Sequence, residues 1–499
     1  MKLATLDPVL YADAAADLLA RGGDARISID PANGLNRYLS STRPSRAVAY
    51  ASSTANDISV PAFDHVCRRL GDVAPDLILS PADYSAALQG LRARIRTAYR
   101  LGDDIDIVFA PSGTDLEYVG LALCKERGEG LRNILLGADE VGSGCIYSAS
   151  GQFFATETAR GLRVEMGRPV GGRLPGTIEL HDIAVRDDRG GAHSTGEIAR
   201  RIGRAVEEAA AQRRHSLVHV VHGSKTGLVL PDLAHLDALL ERHGDAMSVI
   251  VDACQARVTR AAIADYLARG CVVLITGSKF MGAPPFSGFA LVPNRMVRMS
   301  APLPVAFCKI FRRAEWPDEW PDVDLLPREA NLGLLLRLEA AVFELERFQA
   351  LSIERVTRVV LAFHAAVRGA FVDRLGGRRI APYAAGARAE SNAHPIEMRT
   401  LSTIDISNLP GHPDFEEARH IHRALVDQGV RLGQPVKCVR LADGRWGGTL
   451  RVGLSMPQVV AFDALDDATL AARLASDMDM IVSAIQRVRA QAAQTSAQH

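Results

Sequence analysis

Two short apolar runs, MSVIV at 247–251 and CVVLIT at 271–276, constrain this chain more than any other feature. Each stops at a polar group, the first at Asp252 and the second just before Ser278-Lys279. Runs this short and apolar on both sides belong to strands buried on both faces of a sheet. The segment between them, 261–269, suits a helix, so 251–288 is read as a strand–helix–strand unit of a parallel sheet. In such a sheet the strand C-termini share one edge, and ligands bind there. Asp252 and Lys279 are therefore expected at one cleft. A plain salt bridge is the alternative reading of such a pair. The residues after Lys279, Phe-Met-Gly-Ala-Pro-Pro-Phe-Ser-Gly, form a stiff loop of small residues and not a solvated helix face.

The 499 residues exceed a single core, which predicts two domains. Basic and acidic residues balance at 58 each, which argues against a nucleic-acid backbone as partner. No apolar run is long enough to span a bilayer, and early acidic residues in 1–24 argue against a secretory signal. Seven cysteines, scattered and without a CxxC, suit free thiols in a cytoplasmic protein with no metal site.

In chain order, 1–22 reads as a helix. A long irregular stretch follows, containing Asn36, Tyr38 and Ser52–Thr54. Long loops inside compact chains are more often functional than not, although ordinary turn chemistry would also account for it. Residues 105–110 read as a buried strand running into Pro-Ser-Gly-Thr-Asp at 111–115 and then a helix to about 127. A turn feeding a helix start offers free N–H groups to an anion; capping by Ser112 or Thr114 is the plainer alternative. A strand at 133–137 leads into Asp139–Gly144, where Glu140–Ser143 either line a pocket or form a glycine-rich turn. The 217–221 strand ends in His222-Gly-Ser-Lys-Thr-Gly, and His222 is either pocket lining or a core histidine. Trp316 and Trp320 read as interface residues or loop anchors. Long helices are expected at 329–351 and 353–375, strands near 396–401, 403–406, 436 and 449–454, and helices at 415–428 and 463–490. On the 449–454 strand, Arg451 has the planar fork that suits a carboxylate, unless it faces outward.

Asp252, Gln255, Ser278, Lys279, Gly282, Pro284 and Gly288, in that order and between those strands, resemble the fold type I pyridoxal-phosphate (PLP) enzymes. The resemblance is closest to class V aminotransferases and cysteine desulfurases. It covers 103–300 well and 396–456 moderately. It implies an α/β fold: a three-layer αβα large domain with a mainly parallel sheet, and a smaller α+β domain built from the C-terminal part plus the N-terminal segment. The expected divisions are 1–102 (N-terminal segment), 103–345 (large domain), 346–490 (small domain) and 491–499 (disordered tail).

The resemblance also implies roles. Lys279 would form a Schiff base with PLP and later move the substrate Cα proton, and Asp252 would face the pyridine nitrogen. Ser112, Gly113 and Thr114, with Thr276 and Ser278, would hold the phosphate. Gln255 and His222 would tune the ring oxygen, and Arg451 would hold the α-carboxylate of an amino-acid-like substrate. Asn36 and Tyr38 would touch substrate, in a homodimer. Transamination through a quinonoid is the commonest outcome, with β- or γ-elimination, replacement or carbon–carbon bond formation as the rival, and a non-catalytic regulator as a third reading. The sequence departs from the pattern at 139–144, where the family commonly places a ring that stacks on the pyridine. Cys438, set in a wider spacing than the desulfurase nucleophile, reads as structural.

Overall fold

The computed structural model describes residues 8–142, 144–171, 174, 177–387 and 394–497. Residues 1–7 of the expected first helix, Ser143 and the last two residues of the tail lie outside them.

Among the described residues the strands are β1 (Val48–Tyr50), β2 (Ile105–Ala110), β3 (Leu131–Leu136), β4 (Ile178–Ile183), β5 (His215–His222), β6 (Val229–Leu230), β7 (Met247–Asp252), β8 (Val272–Thr276), β9 (Gly288–Pro293), β10 (Arg378–Ile380), β11 (Leu401–Asp405), β12 (Val430–Leu432) and β13 (Thr449–Gly453). The main sheet runs β2-β9-β8-β7-β5-β3-β4, with β6 paired to β5. The β4-β3-β5-β7-β8 stretch is parallel, whereas β9 runs antiparallel between β8 and β2. Every residue of β2, β3, β5, β8 and β9 is buried, as continuous Val/Ile/Leu patterning demands of strands covered on both faces. The unit predicted from 247–276 is observed: β7, the helix Arg260–Ala268, and β8 parallel to β7.

Helices start where a short polar side chain takes up a free N–H. Ser59 caps Val60–Val73, Ser80 caps Pro81–Tyr99, Thr259 caps Arg260–Ala268, and Asn331 caps Leu332–Gln349. The Leu332–Gln349 helix packs on three helices of the N-terminal segment, Pro8–Leu19, Val60–Val73 and Pro81–Tyr99. Arg337, fully buried in it, donates to the carbonyls of Leu19, Arg21, Gly22 and Phe286, tying the N-terminal turn to the loop after Lys279.

The smaller unit contains the antiparallel sheet β10-β11-β13 and the helices Ile353–Val367 and Asp467–Ala497, which pack together. The N-terminal segment joins it through β1, which pairs parallel with β12.

Four expectations are corrected. The helix after Ser112-Gly113-Thr114 spans only Glu117–Leu123, because the chain must turn at 124–130 to enter β3. Residues 396–398 form a 3₁₀ turn instead of a strand. The final helix continues through Ala497, so 491–497 is helical where a disordered tail was expected. Trp316 and Trp320 face inward and not toward an interface, anchoring the irregular 316–325 segment to the core. They are 1% exposed and stack edge-on at 4.6 Å, in a core with Phe307 and Phe311.

Candidate active site

Because β2, β3, β5, β7 and β8 point the same way, the turns after them meet along one edge. Asp252 is the last residue of β7 and lies beside Leu274 of β8. Its Oδ1 accepts the Cys254 N–H at 2.9 Å. Lys279 sits three residues beyond the end of β8, in the turn 277–281. The two turns are joined directly, since the Phe280 N–H donates to the Gln255 carbonyl at 3.3 Å. The amine and the acid are therefore on neighbouring strand tips.

The loop 51–57 clamps this pair from above. Thr54 O accepts from Lys279 Nζ at 2.9 Å. Asn56 Nδ2 donates to the carbonyls of Ser278 (3.2 Å) and Lys279 (2.6 Å). Ser53 O accepts from Gln255 Nε2 at 3.2 Å. From the smaller unit, Arg451 reaches the same loop: Nη2 donates to Thr54 Oγ1 at 3.0 Å, Nη1 to Lys225 O at 3.1 Å and Nε to Gln434 O at 2.6 Å. Among the described residues no carboxylate forms an ion pair with Lys279 or Arg451, so the half-buried lysine and the buried arginine both lack an acid partner.

The electrostatics follow. Burial lowers the Lys279 pKa to about 8, with Arg451 and Lys225 adding to the shift and Asp252 opposing it. Burial likewise brings Arg451 down to about 10. A lysine amine with a pKa near 8 is a competent nucleophile and base close to neutrality. In the cofactor-free protein, labelling of Lys279 by a carbonyl reagent followed by reduction should rise with a midpoint near pH 8. A midpoint near the ordinary 10.5 would show a solvated ammonium.

The turn 112–115 closes against β8. A side chain on Gly113 would meet Thr276 Cγ2 at 2.7 Å and Cys254 Sγ at 3.3 Å, so glycine is required by close approach. Ser112 Oγ donates to Asp115 at 2.6 Å, and burial raises the Asp115 pKa to about 7. Among the described residues the backbone N–H groups of Gly113 and Thr114 have no protein acceptor. Buried N–H groups are ordinarily paired, so this turn offers two adjacent donors to an anion. Thr276 Oγ1 and Ser278 Oγ, 3.1 Å apart, flank it.

Other expected residues are placed less directly. His222 Nδ1 meets the Tyr266 hydroxyl at 3.0 Å, and burial lowers the imidazole pKa to about 3, so the ring is neutral. Gln255 Oε1 accepts from Arg257 Nη1 at 2.7 Å while its Nε2 holds Ser53. Its amide thus buttresses the 51–57 loop at both ends. Asn36 bonds within its own turn, to Ser40 and the Tyr38 N–H. Tyr38 lies beside Arg26, which is stacked between Phe154 and Phe286 at 4.8 and 4.7 Å. Neither Asn36 nor Tyr38 bonds to Lys279, Asp252 or Arg451 among the described contacts. Cys438 is buried, with its thiol pushed up to about 12, which makes it inert at neutral pH.

Sequence reasoning passed over three groups. Asn56 fixes the Lys279 turn but carries no motif. Arg257 is fully enclosed and donates to Thr400 Oγ1, Ser52 Oγ and Gln255; its position two residues after Gln255 was the available signal. Glu117, in the short helix below the 112–115 turn, is buried 3.1 Å from His219. Burial, then the nearby Asp252, raises its pKa well above the carboxylate range. At the 139–144 turn, Glu140 is held by Arg186, Ser224 and Thr226. The buried residue from this segment that lies near Asp252 and Glu117 is Cys145, a small thiol.

Comparison with solved structures agrees with this geometry. The cysteine desulfurase CsdA from Escherichia coli superimposes with a TM-score of 0.55 at 15% identity, over 89% of this chain and 95% of that one. Ureidoglycine-glyoxylate aminotransferase from Bacillus subtilis gives 0.52 at 13% identity, over 89% and 98%. Pyridoxamine-pyruvate aminotransferase from Mesorhizobium loti gives 0.51 at 17% identity, over 90% and 98%. The chain has the fold type I PLP-transferase fold. No family model and no curated protein sequence matches it. In this fold the edge carrying Asp252 and Lys279 lies at the C-terminal ends of the parallel strands, as expected of a ligand site in an open α/β sheet. Among the described residues no helix is long and apolar enough to cross a membrane.

Proposed function

We propose that this protein is a PLP-dependent enzyme acting on an amino-acid substrate, most simply an aminotransferase. The observation that carries the reading is the Lys279 amine and the Asp252 carboxylate on adjacent strand tips, beneath a loop that also presents Arg451 without an acid partner.

The residues present fit the cofactor. The Lys279 amine, with its single carbonyl partner, would hold the aldehyde carbon. Asp252 would keep a proton on the pyridine nitrogen, because an adjacent carboxylate favours the charged ring. The unpaired N–H groups of Gly113 and Thr114, with Ser112, Thr276 and Ser278, would bind the phosphate. Bound PLP supplies the electron sink that makes the Cα–H bond of an amino acid acidic. Arg451 would fix the α-carboxylate, which sets which Cα bond stands across the ring. Lys279 would also move the Cα proton of the substrate, its depressed pKa matching that role. His222 and Gln255 act at one remove in this reading, through Tyr266 and the 51–57 loop. A cytoplasmic homodimer, with Asn36 and Tyr38 near substrate at the subunit boundary, completes it.

A lyase of the elimination or replacement type is the second reading. It is favoured by the sequence Asp-Glu-Val-Gly-Ser-Gly at 139–144, which offers no ring where aminotransferases commonly place one against the pyridine. A purely regulatory role has less support, because a lysine with a pKa near 8 and an unpaired arginine in one pocket are chemically equipped groups.

The test is direct. Protein incubated with PLP and desalted should retain visible absorption. A panel of amino acids and sulfonium compounds should then change that spectrum, with product masses separating transfer from elimination. Protein that stays colourless after incubation would refute the proposal.

A further inference from the structure

Lys225 takes no part in the reading above, yet it stands in the same pocket. It follows Ser224 in the turn after β5, and its own carbonyl receives Arg451 Nη1 at 3.1 Å. Its backbone N–H donates to Glu140 O at 3.1 Å, so the turn is fixed against the 139–142 segment. The ammonium makes one hydrogen bond, to Asp139 O at 2.9 Å, leaving two of its three donors without a protein acceptor. No acid balances it among the described residues. The nearest candidate, Glu140, is engaged at both oxygens by Arg186 at 2.8 Å, Ser224 at 2.7 Å and Thr226 at 3.0 Å. Among the described residues Lys225, Lys279 and Arg451 thus form a cluster of three basic groups, none of them in an ion pair; Arg451 disfavours the charge on both lysines, and Lys225 that on Lys279.

Resting on the PLP reading, the cluster has a consequence for substrate. One α-carboxylate satisfies the fork of Arg451. It leaves Lys225, on the turn that Arg451 touches, unbalanced, and a partly desolvated ammonium near a guanidinium is costly unless an anion reaches it. A compact, freely rotating ammonium reads charge, whereas the guanidinium reads the planar shape of a carboxylate. We infer that the site takes an amino acid whose short side chain ends in a second anionic group, and that Lys225 is the residue that selects for it. Arg451 bonds the Lys225 carbonyl while the Lys225 ammonium reaches Asp139 O, so the two charged groups lie within one lysine side chain of each other, which suits the two anions of a short acidic substrate. That fits aspartate, glutamate and phosphoserine better than longer or neutral side chains.

The experiment uses the full-length, PLP-loaded protein titrated at low ionic strength with L-aspartate, L-glutamate, O-phospho-L-serine, L-alanine and L-2-aminobutyrate, reading the visible spectrum. At least one of the three acidic amino acids should bind about tenfold or more tightly than both neutral ones. The preference should shrink as salt is raised, because much of it is Coulombic. Lys225→Gln should erase the preference by weakening the acidic ligands alone, and Lys225→Arg should restore most of it, a rescue that a merely structural lysine would not show. Phosphoserine ahead of aspartate and glutamate would assign a phosphate to the second position; the reverse order would assign a carboxylate. Equal binding of alanine and the acidic amino acids, or an acidic preference that persists in Lys225→Gln, overturns this inference and leaves the PLP reading standing. Protein that retains no PLP overturns both.

Discussion

Lys279→Ala is expected to lower turnover by about a thousandfold or more, in the range that a positioned base and nucleophile contribute. The variant should still bind some PLP, because the 112–114 turn and Asp252 are untouched, but a denaturing gel filtration should strip all of it. Wild type that has been reduced with borohydride should retain the cofactor through the same step. Full activity in the variant would remove Lys279 from the chemistry. The same substitution should not weaken the cofactor-free fold. The Lys279 ammonium is desolvated, with a folded pKa near 8 against an ordinary 10.5. Between those values the unfolded chain binds more protons than the folded one, so stability rises with pH through that window. Below pH 8 the full penalty, on the order of 3 kcal/mol, is present. Loss of the side chain relieves it and gives up only packing and one bond to Thr54. Apo Lys279→Ala should therefore melt at or above the apo wild type at pH 7, a result a purely structural lysine would not give.

Asp252→Ala is expected to lower turnover by about a hundredfold and to weaken PLP retention. A carboxylate beside a ring nitrogen holds it protonated by roughly one to three pKa units. Without it the neutral ring is a poorer acceptor of charge. Asp252→Asn should fall nearly as far, since it keeps the shape and removes the charge. The effect should be largest at high pH, where an unsupported ring nitrogen loses its proton, and smallest in acid. An Asp252→Asn enzyme with wild-type turnover at pH 8 would show that this acid only braces the Cys254 turn. Glu117, also near this acid, is a poor substitute for it, because burial and then Asp252 itself disfavour the charged form of the Glu117 carboxyl.

The strand tips were legible because buried parallel strands leave an unambiguous mark: apolar on both faces, short, and stopped by a polar residue. Asp252, Lys279 and the glycine turn at 112–114 all follow from that. Arg451 was legible through its strand, although its contact to Thr54 was not, since nothing local in 449–454 points 397 residues back along the chain. The loop 51–57 shows the same gap. Ser, Thr and Asn in an irregular stretch are compatible with any turn, and only the fold reveals that Asn56 reaches the Lys279 carbonyl. The helix after Thr114 was overextended because Lys125-Glu126-Arg127 are good helix formers, whereas the backbone must reverse to enter β3. The Trp316–Trp320 segment looked like surface because of its prolines and acids, but the two rings outweigh them in apolar area and turn inward.

One feature of the architecture bears on biogenesis. β1 has its partner in β12, and the 51–57 loop is held by Arg451 on β13, so the first tenth of the polypeptide is completed by the last seventh. Contacts this distant in sequence form slowly. A ribosome that has released the whole main sheet still carries a nascent chain whose lysine lacks its lid. A truncation before residue 451 removes what holds that lid, so it should retain the cofactor more weakly than the full chain even where the sheet itself folds.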